Sequence, residues 1–160
     1  MKRILMLLAA LALSAVAAGP LMAQANPFLG TWKLNVAKSK APAGMMPQSL
    51  TRTVTADGAG VKYSFTGVGP DGKAVEYSFT TNYDGKDAAV TGTGSPAGAD
   101  NIAIKRTAPN KASAILKKGG SEVGTSLSEV SKDGKTTTLT IKGKGADGKD
   151  FTGVNVYDKQ

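Results

Sequence analysis

Cysteine and histidine are both absent from the 160-residue chain, and tryptophan occurs only once. Without cysteine, the protein can form no disulfide and has no thiolate nucleophile and no lipid-modified cysteine. Without histidine, it lacks the side chain most often used as a general base and a common ligand of zinc sites. An enzyme would have to work with Asp, Glu, Lys, Tyr or Ser alone. We therefore expect a protein that is not an enzyme and that uses no cofactor or metal.

Residues 1–25 have the composition of a secretory signal peptide. Two basic residues precede an apolar run over residues 4–18, and the small-x-small sequence that ends at Ala25 fits the rule for signal-peptide cleavage. The apolar run is shorter than the roughly 20 residues of a membrane-spanning helix. We predict cleavage before Asn26, a single mature domain over residues 26–160, and a periplasmic or secreted location.

The chain is basic, with 20 basic and 12 acidic residues and a formal net charge of +8. Most of the basic residues are lysines, which are dispersed along the chain and often lie beside turns. Dispersed lysines are typical of a solvated surface, whereas a nucleic-acid interface has clustered arginines and aromatic residues. The composition therefore favours no nucleic-acid partner.

Turn signals, most of them Asp-Gly pairs, recur at roughly ten-residue intervals after Gly30. The stretches between them are rich in Val, Thr, Ile, Tyr and Phe, and no segment has the period of a helix. The pattern predicts an all-β fold, a single antiparallel meander β-barrel of about ten strands, because closure removes exposed sheet edges. A two-sheet β-sandwich is the alternative. The predicted strands lie near residues 30–36, 49–56, 61–68, 73–81, 87–92, 101–106, 112–118, 122–130, 135–143 and 150–157.

Residues 61–66 and 75–80 carry nearly the same phrase, with Val, Tyr and Phe at every second position. Residues that pair across a hairpin face the same side of a sheet. The Pro-Asp-Gly turn between the two copies sets the register. This register predicts one aromatic cluster on the buried face, which is either solid core or the wall of a ligand cavity. Its members are Tyr63 opposite Phe79 and Phe65 opposite Tyr77.

The same reasoning can be extended to the later strands. It predicts that Leu116 pairs with Val123 and that Leu127 pairs with Leu139. In the last strand the apolar residues do not keep to one face, and a bulge near Gly153 would restore the pattern.

The predicted mature chain opens with the sequence NPFLGTWKL. An aromatic residue followed by Gly30-Thr31-Trp32 at the start of the first strand resembles the lipocalins and the wider calycin group, which includes fatty-acid-binding proteins. The resemblance implies a cup-shaped barrel closed at one end, with Trp32 as a structural plug and a small hydrophobic ligand inside. The family's basic residue over the tryptophan would be Lys159. The phrase also resembles the start of small bacterial exported proteins.

The predicted mature chain contains two arginines, and the register places both on the apolar face of the sheet. A buried guanidinium needs an anion or several acceptors to offset its desolvation. We hypothesise that Arg52, Arg106 or both hold the carboxylate of an acyl or other acidic apolar ligand, with hydroxyl groups from Tyr63 and Tyr77. Alternatively, both arginines lie at strand ends and reach water, or pair with an inward acid such as Glu129.

The segment over residues 37–48 contains two prolines, a glycine and the adjacent Met45 and Met46. Such a segment cannot form a good helix, so we predict that it crosses one end of the barrel as a loop. Its flexible thioethers suit either a portal that adapts to varied apolar ligands or a lid that is packed shut.

These observations favour a non-catalytic carrier of a small apolar or acyl ligand, with Phe65, Phe79 and the two tyrosines around it. The alternative is a solidly packed module for protein interaction or stress protection that has no ligand. A cavity of roughly 300 Å³ or more inside the barrel would favour the carrier. We expect a monomer that does not insert into a membrane, because the outward face of the strands carries Lys, Glu, Ser and Thr.

The predicted processing can be tested by the mass of the protein recovered from the periplasm of an expressing bacterium. The wild-type mass should correspond to residues 26–160, because a small residue is required just before the cleavage site. Ala25→Phe should leave the leader attached, whereas the control Asn26→Ser should be processed normally. A wild-type protein that keeps its leader would contradict the prediction.

Overall fold

The computed structural model describes residues 26–144 and 148–160, and the predicted signal peptide lies outside the described residues. Within them the chain forms eleven β-strands and two short 3-10 turns, Val36–Lys38 and Pro96–Gly98. The strands are β1 (Gly30–Leu34), β2 (Ser49–Asp57), β3 (Gly60–Val68), β4 (Ala74–Thr81), β5 (Asp84–Ala89), β6 (Thr91–Thr93), β7 (Asn101–Ala108), β8 (Lys111–Lys118), β9 (Ser121–Val130), β10 (Thr136–Lys144) and β11 (Asp150–Lys159).

All eleven strands belong to one antiparallel sheet, in the order β5-β7-β8-β9-β10-β11-β1-β2-β3-β4-β6. The first and last strands pair with each other in the middle of this order, and the sheet curves into a nearly closed barrel. The predicted meander barrel is confirmed, and the two-sheet alternative is wrong. None of the helical turns in the described part of the chain is long and apolar enough to cross a membrane.

The strand predicted at residues 87–92 is two strands that pair with opposite ends of the sheet. β5 pairs with β7, whereas β6 pairs with β4, and only Val90 lies between them. The chain therefore changes its pairing partner at Val90 and bridges the two ends of the sheet. Gly92 permits this close approach, because its φ is +101° and a side chain there would collide with the carbonyl oxygen of Glu76.

The predicted register of the aromatic hairpin is confirmed. Gly69 donates its backbone N–H to the carbonyl of Lys73 at 2.8 Å and closes the Pro-Asp-Gly loop. The loop sets the four aromatic residues in two facing pairs, and all four are buried. Their rings stack, with centroids 4.5 Å and 5.1 Å apart in the two pairs. The pairs are Phe65 with Tyr77 and Tyr63 with Phe79.

Both predicted pairings on β9 are wrong. Leu116 pairs with Gly124 instead of Val123, because a register shift next to Leu116 adds one residue to β9. The next hairpin is also offset by one residue from the prediction, so that Leu139 pairs with Ser128. A turn-based prediction does not detect such a bulge, which moves every later residue of the strand to the other face.

The bulge determines which side chains of β9 reach the interior of the barrel. Ser126 and Ser128 face inward and line an internal chamber. Leu127, the residue expected to be buried, points outward and is 44% exposed. The inner wall therefore carries hydroxyl groups where the sequence register predicted an aliphatic side chain.

The bulge predicted near Gly153 is also wrong, because β11 pairs with β10 without a register shift from Asp150 to Asp158. Gly153, Asn155 and Tyr157 face the interior. The apolar residues at the intervening positions therefore face outward. For this reason the positions of the apolar residues in β11 did not predict which of its faces is inside.

Phe28, which precedes β1, packs with Trp32, which lies in β1, at one end of the barrel, the closed end. Both side chains are fully buried, and the Trp32 Nε1–H donates a hydrogen bond of 2.9 Å to the carbonyl of Phe28. This bond satisfies the only polar group of the indole. Lys159, which occupies the position expected of the family's basic residue, holds its Nζ 4.9 Å from the centre of the Trp32 ring.

Two glycine variants should separate the effect of crowding from that of backbone strain. Gly119→Ala should lower the free energy of unfolding by about 1 kcal/mol, because its φ is +56° but the space around it is open. Gly92→Ala should lower it by roughly 2 kcal/mol more, since the new methyl group also collides with β4. Urea unfolding monitored by circular dichroism measures both, and equal losses would contradict the role of Gly92 in closing the barrel.

Candidate ligand-binding site

The barrel contains a cavity of about 360 Å³ that lies beneath two loops at the end opposite Phe28. A smaller inner chamber of about 60 Å³ adjoins it. Both spaces are walled mainly by apolar side chains, and several residues line the two together. The volume of the larger cavity exceeds the roughly 300 Å³ that is expected of a carrier and not of a solidly packed barrel. The shared residues are Phe65, Tyr77, Pro96, Leu139 and Ile141.

Arg52 extends from β2 into the interior and is only 2% exposed. Its Cζ lies 5.4 Å from the centre of the Trp32 ring and 5.0 Å from that of Tyr157, so the guanidinium contacts two aromatic faces. Its Nε and Nη2 are buried and make no hydrogen bond to any described residue. The expectation that Arg52 reaches water at a strand end is therefore wrong.

Glu129 does not serve as the inward acid considered as a partner for the arginines. Its carboxylate forms an ion pair of 3.2 Å with Lys111, and both side chains are more than 40% exposed. Because β9 carries its bulge before this position, Glu129 faces outward. No hydrogen bond or ion pair joins a described carboxylate to Arg52, and its guanidinium contacts the rings of Trp32 and Tyr157.

Two tyrosines of the cavity wall lie within electrostatic range of Arg52. Burial raises the pKa of Tyr77 well above its usual value of 10.0, and it also raises the pKa of Tyr157. The positive charge of Arg52 opposes both shifts, so the guanidinium lies within electrostatic range of both hydroxyls. Both tyrosines line the cavity, whereas Arg52 does not. Its positive charge lies behind the cavity wall, in contact with the Tyr157 ring.

Tyr63 directs its hydroxyl away from this group of residues. The hydroxyl is 2.7 Å from that of Tyr83, and burial together with Tyr83 raises the pKa of Tyr63. Its ring remains part of the aromatic wall of the inner chamber, with Phe79 beside it. The structure therefore places the Tyr63 ring, but not its hydroxyl, where a ligand in the cavity would meet it.

Arg106 lies at the closed end and does not line the cavity. Its Cζ is 4.5 Å from the centre of the Tyr83 ring and 5.3 Å from that of Phe28. Its Nη2 donates a hydrogen bond of 2.6 Å to the Asn26 side chain. The side chain borders a separate external cleft of about 470 Å³. The two arginines therefore do not form one site.

The loop predicted to cross one end of the barrel lies over the cavity. Met45 and Pro47 line the cavity, whereas Met46 is half-buried and does not line it. The segment is fixed at its two ends, where Lys40 pairs with Val154 and the Gln48 N–H bonds to the Val68 carbonyl at 3.0 Å. Within the loop, the Met45 N–H also donates a hydrogen bond of 3.0 Å to the carbonyl of Pro42.

Three features of the site were missed by the sequence reasoning. The loop around Pro96 forms the other side of the mouth, and Asn155 and Tyr157 contribute polar atoms to the wall. Every second residue of a strand faces the same side, so an inward Phe151 would have predicted that Asn155 and Tyr157 also face the interior. Among the described residues, no cluster of three or more acidic side chains is arranged to hold a metal ion.

No protein-family model matches the sequence, and no curated protein is significantly similar to it. The crystal structure of the zebrafish ileal bile acid-binding protein, complexed with cholic acid, superposes with a TM-score of 0.52. It is 15% identical in sequence, and the match covers 84% of this chain and 99% of that chain. The similarity shows a shared fold, and the β-barrel that the resemblance carried by Gly30-Thr31-Trp32 implied is confirmed.

The buried tyrosines should make the protein lose stability in alkali. A phenol whose pKa is raised by folding stabilises the native state below its unfolded pKa of about 10, and this contribution is lost as the pH rises further. The free energy of unfolding should therefore fall above pH 10, and it should fall less steeply in Tyr77→Phe. Urea titrations at a series of pH values test this, and identical slopes would contradict it.

Proposed function

We propose that the protein is a non-catalytic binding or carrier protein for a small amphiphile with an acidic head and an apolar body. The observation that carries this proposal is the Arg52 guanidinium, which is buried with two unpartnered nitrogens and contacts the ring of Tyr157 in the cavity wall. A buried cation without an anion is strongly unfavourable. A bound carboxylate would supply both the missing charge and the missing acceptors.

The chemistry of Arg52 suits a carboxylate better than a neutral oxygen. The planar guanidinium offers two parallel N–H groups to the two oxygens of a carboxylate. Hydrogen bonds to a charged group contribute about 1.5–3 kcal/mol each in a protein. The hydroxyls of Tyr77 and Tyr157 lie within the field of the same charge and can donate to the head group.

The apolar wall of the cavity suits the body of such a ligand. The stacked Phe65 and Tyr77 rings form one side, and Leu139 and Ile141 lie on another. Burial of apolar surface contributes about 25 cal/mol per Å², so a chain enclosed by these residues gains most of its affinity from this contact. Met45 at the mouth supports a portal that adapts its packing to the ligand.

Two further observations support a carrier. Among the described residues the cavity wall contains no carboxylate and no lysine, so only tyrosine and serine hydroxyls are present there of the groups open to an enzyme without histidine or cysteine. The zebrafish protein was solved with cholic acid, which is itself an amphiphile with a carboxylate. A cavity above 300 Å³ favours this function over a solidly packed interaction module.

We also propose that the protein works outside the cytoplasm, as a periplasmic or secreted protein. The support is the basic and then apolar composition of residues 1–25, followed by a small-x-small sequence. A carrier in that compartment would keep an apolar molecule in solution between membranes.

Binding of decanoate and decanol to the wild type and to Arg52→Met tests the proposal. The wild type should bind decanoate at least tenfold more tightly than decanol, because only the acid pairs with the guanidinium. Arg52→Met should lose this preference while still binding decanol. Isothermal titration calorimetry measures both, with circular dichroism to confirm folding.

The matched control is Arg106→Met, which removes the other arginine of the predicted mature chain. It should keep the preference for decanoate, because Arg106 lies at the closed end. An Arg52 variant that binds decanoate as tightly as the wild type would refute the proposed function.

A further inference from the structure

The inner chamber has one polar wall in an otherwise apolar space. Strand β9 contributes Ser126 and Ser128, while the facing wall consists of the aromatic cluster formed by Tyr63, Phe65, Tyr77 and Phe79. The remaining lining residues from β7, β8 and β10 are aliphatic. The chamber is therefore built to receive an apolar group but presents hydroxyl groups along one side.

The Ser128 hydroxyl has no partner within the protein. Its Oγ is buried and makes no hydrogen bond to any residue that the structure describes. Serine can satisfy its hydroxyl in almost any polar surrounding, because the O–H rotates freely and the oxygen accepts as well. A buried hydroxyl that stays unpaired opposes folding, so its position calls for a ligand atom.

Arg52 and Ser128 occupy separate parts of the barrel. Arg52 lies on β2 and Ser128 on β9, and three strands separate them in the sheet. Ser128 lines the inner chamber, whereas Arg52 does not. A carboxylate that pairs with Arg52 therefore leaves Ser128 unpaired, and the second oxygen has to come from another part of the ligand.

We propose that the ligand is an oxygenated amphiphile, which carries a hydroxyl or carbonyl group on its apolar body in addition to its acidic head. The second oxygen enters the inner chamber and forms a hydrogen bond with Ser128 Oγ. This inference rests on the proposed function, because it assumes that the head group lies near Arg52. Leu139 and Ile141 line both spaces and guide the body from the larger cavity into the chamber.

A trapped water is the competing occupant of the chamber. The volume of about 60 Å³ can hold water. A buried water is retained when it makes about three hydrogen bonds, and the Tyr63 hydroxyl is already paired with Tyr83. The mostly aliphatic lining therefore favours the polar atom of an apolar ligand over a free water molecule.

The test compares decanoate with a series of monohydroxydecanoates that differ only in the position of the hydroxyl group. The wild type should bind at least one positional isomer roughly tenfold more tightly than decanoate, because that isomer alone reaches Ser128. In Ser128→Ala the order should reverse, since the hydroxyl would then be buried without a partner. The control Ser113→Ala changes a serine on the outer face of β8 and should preserve the wild-type order.

The outcomes separate this inference from the proposed function. If decanoate binds but no hydroxylated isomer binds more tightly, the chamber holds water or stays empty, and the inference is refuted while the carrier function stands. If neither the acid nor its derivatives bind, both fail. Unliganded Ser128→Ala should be at least as stable as the wild type, and a clear loss of stability would assign the hydroxyl a structural bond and refute the inference.

Discussion

The alternation of side chains between the two faces of each strand is the constraint on which this structure depends. Because the sheet curves back on itself, one face of every strand becomes interior and the other becomes surface. The interior receives the aromatic hairpin and Arg52, while the lysines remain in water. The aromatic wall, the inward position of Arg52 and the inward hydroxyl groups of β9 all follow from which residues of a strand share a face, so a register shift of one residue in a strand changes the site itself.

The sequence predicted the fold and part of the site because some turns determine the register unambiguously. The Pro70-Asp71-Gly72 loop has a fixed length, and it therefore placed Phe65 and Tyr77 correctly. The turn before β9 is equally clear, yet the bulge beside Leu116 follows it and depends on packing between strands. Parity also placed Arg52 inside, but its contact with Tyr157 depends on the pairing of β1 with β11, which brings the last strand of the chain beside the first. The cavity volume could not be predicted either, because it is a small difference between two larger volumes, that of the barrel interior and that of the side chains that fill it.

The interior of this barrel contains several polar side chains and is not a fully apolar core. Trp32 satisfies its indole N–H locally, and Arg106 has the Asn26 side chain as a partner. Buried polar atoms of four side chains nevertheless have no partner among the described residues: Arg52 Nε and Nη2, Arg106 Nε, Ser128 Oγ and Thr137 Oγ1. Of these residues, Ser128 lines the inner chamber, and Arg52 contacts the Tyr157 ring in the wall of the larger cavity. Such groups reduce the stability of the empty protein, and recovery of that free energy on binding is a direct source of affinity and of selectivity.

The change of pairing partner at Val90 also bears on how the barrel moves. β6 contains only three residues and is attached to β4 alone among its neighbours in the sheet order, whereas β11 contains ten and has neighbours on both sides. Subglobal opening begins where the fewest backbone hydrogen bonds must break. β6 can therefore separate from β4 while the rest of the barrel stays folded. The rate of this local opening would set an upper limit on how fast amide protons beside Gly92 exchange with solvent.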